Sequence, residues 1–368
     1  MASNKNVENK EPLIRITKRD AMPVGKAILV RAIAILLAVL LSAVIIVILT
    51  KYDPVKVFKA MFEGNFATSR KFVNMLESMA ILLCISLAVT PAFRMRFWNT
   101  GAEGQVLMGA LSSFVCMKFF ANLPNGVLIP VMFLAGIVGG IIWAVIPAIF
   151  KATWNTNETL FTLMMNYVAM QIIMYCVAKW SPGGSGVIGV QNMWDKKGWM
   201  PEVGGQEYII NIIFVAVATV IIYFYLNYTK HGYEISVVGE SENTARYIGI
   251  NVKKVIIRTM ALSGALCGLA GFLLVSGASH TINKDLAGGM GFTAIMVSWL
   301  AKFNPVTMVA ATFLIVFLQK GSSQIAVSCK LNESIADIIT GIILFFIIGC
   351  EFFVNYKVNL RHKNKEAK

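Results

Sequence analysis

Residue types able to do chemistry are few in this apolar chain, and they cluster. The run Asn99-Thr100-Gly101-Ala102-Glu103-Gly104-Gln105 puts an acid, two amides and two glycines at the mouth of an apolar segment that continues to Phe120. A second polar mouth, Asn155-Thr156-Asn157-Glu158-Thr159, precedes a span that holds Asn166 and Gln171. Taking a charge to the centre of a bilayer costs at least about 2.5 to 3.5 kcal/mol, so Glu103 and Glu158 must meet a wet cavity, a protein partner group or the membrane surface. Two readings stay open for Asn99, Gly101, Glu103, Gly104, Gln105, Asn157, Glu158 and Asn166. They line or gate a polar pathway, or they form a buried hydrogen-bond network that supports one. Glu77, Asp337 and Glu351 lie near span ends, where an interfacial position explains them. Phe292 and Trp299 could stack on a ring-shaped solute, but lipid or core packing is the favoured reading of both.

Enzymatic chemistry finds no support. There is no G-x-x-x-x-G-K-[ST] loop and no Ser/His/Asp arrangement. The six cysteines (Cys84, Cys116, Cys176, Cys267, Cys329, Cys350) show neither C-x-x-C nor Cys/His ligand spacing, so no metal, disulfide framework or cofactor is expected in this chain. A formal net charge of +14 raises nucleic acid as a partner, but the basic residues sit in loops and tails rather than on one soluble face. They orient the chain in a membrane instead.

The elements that must position these residues are membrane spans. The chain is 57% hydrophobic and 14% charged, with apolar runs near the length that crosses about 30 Å of hydrocarbon. The fold class expected is an all-α integral membrane protein with about ten transmembrane helices, some short or broken, and both termini cytoplasmic. Residues 1–26 read as a basic cytoplasmic tail with a surface-lying segment around 13–16, 27–353 as the membrane domain, and 354–368 as a second basic cytoplasmic tail. Residues 51–71 suit an amphipathic helix on the outer surface, and 180–207 form the longest outward loop. Beyond Gly288-Gly289-Met290-Gly291, two apolar stretches broken at Lys302-Phe303-Asn304-Pro305 and at Lys320 span only about 18 and 22 Å. Short, broken helices of this kind surround pathways in transporters. Gly136, Gly139 and Gly140, and later Gly264, Gly268 and Gly271, mark close helix contacts. Sliding the sequence by 187 residues puts Gly101 on Gly288 and Gly104 on Gly291, which suggests a two-fold repeat.

The polar loop 229–254 carries helix punctuation. Ser241 can cap a short helix, Glu242 opens it, Arg246 closes it favourably and Gly249 stops it. A helix of about two turns is unstable alone. It either turns the chain around or docks on a partner.

Several motifs together resemble one family. Asn99 to Gln105, Asn157-Glu158 with Met165-Asn166-Tyr167, Gly232-Tyr233-Glu234 through Val238-Gly239 to Ala245-Arg246-Tyr247-Ile248-Gly249, Met260 to Ala265 and Phe303-Asn304-Pro305 resemble, in order, the permease subunits of bacterial ABC importers in the ribose and branched-chain amino-acid permease superfamily. The Gly-Ala-Glu-Gly-Gln form resembles the nucleoside branch, in the longer of two paired permeases, although Trp98 and Thr100 stand where smaller or aliphatic residues are commoner. The resemblance implies an ABC importer permease fold and a translocation pathway for nucleosides in the bacterial cytoplasmic membrane. It implies three protein partners: a separate ATP-binding cassette ATPase that binds the ATP, a second paralogous permease, and an extracytoplasmic solute-binding lipoprotein. It also makes Glu234, Gly239, Glu240, Ser241, Ala245, Arg246, Tyr247 and Gly249 the ATPase-coupling segment. A permease for a simple sugar or another small polar solute, an ion-gradient secondary transporter and a non-transporting scaffold are the competing expectations.

Overall fold

The structure, a computed structural model, describes residues 14–18, 22–50, 53–181, 183, 185–329 and 333–360. Most of the expected basic tails therefore lies outside the described residues, as do the side chains of Asp337 and Glu351. Where the two ends are described they form short strands, β1 (Ile14–Lys18) and β2 (Tyr356–Leu360), paired antiparallel with Ile14 opposite Leu360 and Lys18 opposite Tyr356. The segment expected to lie on a membrane surface is thus a strand, in keeping with β-branched Ile14, Ile16 and Val358.

The rest is helical: α1 (Val24–Thr50), α2 (Pro54–Phe66), α3 (Ser69–Arg94), α4 (Ala102–Phe119), α5 (Asn125–Trp154), α6 (Glu158–Trp180), α7 (Ile209–Tyr228), α8 (Lys230–Glu240), α9 (Glu242–Tyr247), α10 (Val252–Leu273), α11 (Met290–Leu300), α12 (Pro305–Ser328) and α13 (Glu333–Asn355). A π-helical segment, Leu274–Ser279, continues α10. Among the described residues, six helices are long and apolar enough to cross a membrane: α3, α5, α6, α7, α10 with its π-helical extension, and α12. One expectation fails here. The second short stretch does not stop at Lys320, because α12 continues to Ser328, and its 24 residues span about 36 Å. The helix runs on through Gly321 against that residue's poor helix propensity, because the glycine packs on Met61 of α2, where a Cβ would overlap. Only α11, with 11 residues and about 16 Å, stays short.

The chain divides into two compact units, Met1–Gly64 with Leu318–Lys368, and Asn65–Phe317. In the first, α1 packs on α13, and α2 buries Val57, Ala60 and Met61 at helical spacing, while Gly64 meets Gln324. The amphipathic helix expected over 51–71 is therefore present over Pro54–Phe66.

In the second unit α10 is central and almost wholly buried against α3, α4 and α5. Glycines set how closely these helices approach. A Cβ on Gly268 would overlap the Gly136 carbonyl oxygen, and one on Gly140 would overlap that of Gly264. The two small-residue faces, each glycines four apart, pack on each other. On the other side Asn211 of α7 presses its amide against Gly277, with Nδ2 3.5 Å from the Leu273 carbonyl oxygen, where α10 widens into its π-helical turn. A side chain inserted beside a helix is a recognised cause of such local widening.

Candidate functional site

The start of α4 gathers most of the expected polar residues. A helix N-terminus leaves backbone N–H groups without intrahelical acceptors, and inside an apolar bundle each must find one. Asn99 Oδ1 accepts from Gly101 N (3.1 Å) and from Gln105 Nε2 (3.1 Å), while Asn99 Nδ2 donates to Ser263 Oγ on α10 (3.1 Å). Asn166, from α6, accepts from Gly104 N (2.8 Å) and donates to the Thr100 carbonyl (2.9 Å). Thr162, one turn earlier on α6, accepts from Thr100 N (3.2 Å), and Thr100 Oγ1 donates to the Thr159 carbonyl (3.0 Å). Gly101 and Gly104 let α6 come this close: an added Cβ would sit 2.9 Å from Thr162 Cβ or from Asn166 Oδ1.

Glu103 faces another helix. Its Oε1 accepts from Gly289 N (2.8 Å) and its Oε2 from Gly291 N (2.7 Å), so one carboxylate caps the N-terminus of α11. The side chain is 3% exposed. Gly288 and Gly289 reach this arrangement with φ of 55° and 77°, in the left-handed region glycine favours, and Gly291 lies so close to the Glu103 backbone that a side chain would overlap it. The two glycine-rich mouths matched by the 187-residue shift therefore meet in space: the acid of one holds the helix that follows the other. A carboxylate at a helix N-terminus is also favoured by the helix dipole.

Asn157 and Glu158 stand apart from this network. Asn157 caps α6 by accepting from Leu160 N (3.2 Å), and Glu158 pairs with Lys151 at 2.9 Å across the α5–α6 turn. Phe292 and Trp299 do not face each other either. They lie seven residues apart on one face of α11 with Met296 between them, about 10.5 Å along the axis, and all three are 40% exposed or more. Trp299 stacks on Trp98 (centroids 5.6 Å) and meets Phe93 and Phe303, a cluster that the residue pattern did not reveal.

α11 is clamped along its length. Ser298 Oγ donates to the Ser86 carbonyl of α3 (3.0 Å), and Arg94 at the end of α3 donates to the Phe303 carbonyl (2.9 Å) in the turn after α11. Lys302 and Phe303 both have positive φ there, 52° and 59°.

The loop after α7 contains two helices. Ser241 caps α9 as expected, accepting from Thr244 N (3.3 Å), and Arg246 pairs with Glu242 (3.1 Å). The sequence pointed to α9 but not to α8, whose Ile235, Val238, Gly232 and Gly239 are buried. Glu234 is tied to Arg258 of α10 at 2.8 Å, and that hydrogen bond holds its carboxyl below the ordinary range. Gly239 rests on the Arg94 carbonyl, Ala245 is fully buried, and Gly249 turns the chain with φ 85°. Glu240, Arg246 and Tyr247 point outward instead, with Tyr247 92% exposed and Tyr233 and Ile248 half exposed or more. Aromatic and aliphatic groups held out on a capped polar loop are the composition of a protein contact.

At the opposite end of this unit, residues within 196–208 line a cavity of about 790 Å³ together with Phe133, Phe214 and Phe272. Trp199 and His280 stack there at 3.6 Å and 3°. Among the described residues no group of His, Cys, Asp and Glu is placed to hold a metal.

This arrangement has no reacting group. It is a set of buried polar contacts around one short helix, with exposed aromatic and aliphatic groups on the α8–α9 loop. The family described as branched-chain amino acid transport system / permease component matches residues 71–348. Relatives include the glucose ABC transporter permease protein TsgB13 of Haloferax volcanii, 27% identical over 94% of each chain. The guanosine ABC transporter permease protein NupP of Bacillus subtilis is 27% identical over 87% of this chain and 92% of its own. The nucleoside ABC transporter permease protein NupB of Lactococcus lactis subsp. cremoris is 27% identical over 88% of this chain and 91% of its own. No solved structure matches. A family match over some three quarters of the chain, on a helical protein with six spans among its described residues, makes this a multi-pass membrane protein that belongs to the branched-chain amino acid transport system / permease component family, an ABC importer permease.

Proposed function

We propose that this chain forms the translocation pathway for nucleosides in the bacterial cytoplasmic membrane and passes the work of a separate ATPase to that pathway. The observation that carries the reading is the short helix α11, held at its N-terminus by Glu103 and at its far end by Arg94 beside an exposed loop surface. NupP and NupB are named for guanosine and nucleosides, which favours a nucleoside over the glucose in the name of TsgB13. About ten crossings over 27–353, with the tails 1–26 and 354–368 cytoplasmic, suit the β1–β2 pairing, which puts residues 14–18 beside 356–360.

Glu240, Arg246 and Tyr247 meet the ATPase, which binds the ATP; Glu234, Gly239, Ser241, Ala245 and Gly249 shape the loop that presents them. A second, paralogous permease completes the pathway, in line with a further guanosine permease of Bacillus subtilis, NupQ, 25% identical over 60% of this chain. An extracytoplasmic binding lipoprotein delivers the solute to loop 181–208. Asn99, Gly101, Glu103, Gly104, Gln105 and Asn166 support the pathway as a network, Asn157 and Glu158 brace its edge, and Phe292 and Trp299 offer rings on which a base can stack.

The test is uptake of labelled uridine into vesicles holding the chain with its partner subunits, with and without ATP at the ATPase. Uptake that needs ATP and is blocked by unlabelled guanosine, but not by glucose or leucine, is the expected result. Competition by glucose alone moves the solute to sugars. Uptake that follows an ion gradient without ATP overturns the reading.

A further inference from the structure

From these contacts we infer that Arg94 is the positioning residue through which the α8–α9 loop sets the place of α11; the inference rests on the proposal that this loop meets the ATPase. Arg94 is touched from both sides. Gly239, next to the last residue of α8, lies directly on the Arg94 carbonyl, with no room for even a methyl group between them. The guanidinium reaches the other way: it donates to the Phe303 carbonyl at 2.9 Å, and it lies 3.5 Å from the Leu226 carbonyl and 3.4 Å from Asn227 Oδ1 at the end of α7.

The loop is mounted so that movement reaches this residue. Gly232 packs on the Leu226 carbonyl at one end of α8, Gly239 on Arg94 at the other, and Glu234 pins the helix to Arg258 of α10 at 2.8 Å. A push on the exposed face of α9 therefore moves α8 as a piece. Among its contacts with α3, Gly239 rests on the backbone of Arg94. The planar guanidinium holds several acceptors in fixed directions, which an ammonium on a flexible stem does not.

On the receiving side, Phe303 belongs to the turn that ends α11, a turn with two successive residues at positive φ. Such a turn persists only while its surroundings hold it. Release or displacement of the Phe303 carbonyl lets α11 shift toward its other anchor, Glu103. The exposed stripe of Phe292, Met296 and Trp299 shifts with it. Coupling between sites calls for an element with two arrangements that both sites bias, and α11 is the element here.

The experiment uses the full complex in lipid vesicles. Nitroxide labels at Ile295→Cys on α11, partly exposed and off the Phe292–Trp299 stripe, and Val138→Cys on α5, exposed, report their distance; Cys176→Ser removes the one partly accessible cysteine among the described residues. Distance distributions are recorded without nucleotide and with the ATPase trapped closed, alongside ATP hydrolysis, uptake and thermal melting. The wild type is expected to shift on trapping. Arg94→Lys is expected to bind the ATPase, hydrolyse ATP and melt as the wild type does, yet to lose the shift and at least tenfold of the uptake per ATP. Arg94→Gln repeats the comparison without charge, and if it fails to assemble, Arg94→Lys still decides. An α11 distance that does not move in the wild type, or moves equally in Arg94→Lys with uptake intact, overturns the inference. Failure of the underlying reading looks different: Tyr247→Ala then keeps its ATPase and its uptake.

Discussion

Removing the carboxylate of Glu103 should free the N-terminus of α11. Glu103→Ala leaves the N–H groups of Gly289 and Gly291 without their acceptors, which now lie at 2.8 and 2.7 Å. Hydrogen bonds to a charged group contribute about 1.5–3 kcal/mol each, so the pair gives roughly 3–6 kcal/mol. At about 1.4 kcal/mol per factor of ten, local opening of residues 288–293 should become about 10² to 10⁴ times more frequent, up to the limit set by global unfolding. Glu103→Gln keeps one acceptor and turns an NH₂ toward a backbone donor, so its effect should be about half as large in free energy. Hydrogen–deuterium exchange of the 285–293 peptide measures this directly, with the α5–α10 peptides as internal reference. The assay also separates the two roles first considered for this residue. A solute-contacting Glu103 would change the KM for uptake and leave exchange at α11 untouched. That result would refute the capping argument, however badly the variant transported.

Two other perturbations test the frame around the site. Gly268→Ala puts a methyl into the Gly136 carbonyl, with backbone on both sides and no flexible side chain to yield, so overpacking should cost about 3 kcal/mol and lower the melting temperature in detergent. Gly126→Ala, in α5 with open space around it, serves as the control and should melt no lower than the wild type. Acid should loosen α8. The folded Glu234 carboxyl sits below its ordinary value because Arg258 hydrogen-bonds it, so its contribution is fully present above the unfolded value of about 4.3 and is lost as pH falls through the folded one. Limited proteolysis of residues 229–251 should be constant from pH 7 to 5 and rise below about pH 4. Glu234→Gln should be cut at pH 7 as readily as the wild type is in acid; a wild-type loop indifferent to acid would show that Arg258 does not hold it.

What could be read from the chain follows the range of each interaction. The cap of α9 was legible because Ser241 and Thr244 are three residues apart, and the glycine faces of α5 and α10 because each repeats every fourth residue. That Asn99, Glu103, Gln105 and Asn166 need partners was legible from cost alone, since polar groups do not persist in hydrocarbon without them; the same argument also took in Asn157 and Glu158, which cap α6 and pair with Lys151 instead. Who those partners are was not. Glu103 bonds backbone N–H groups 186 and 188 residues away, and a backbone donor leaves no mark in residue type. α8 escaped notice for a related reason. Gly232, Gly239, Ile235, Val237 and Val238 are weak helix formers, and their segment is helical because the two glycines let it lie flush on Leu226 and Arg94. The same glycines that spoil local propensity create the contact by which the loop touches the membrane domain. In this chain the breaks in local pattern, at Gly101, Gly239 and Gly288–Gly291, therefore mark where one helix is handed to another. The short helix α11 lies between two of them, tied at its start to Glu103 and, through the Phe303 carbonyl, to Arg94, on which Gly239 rests.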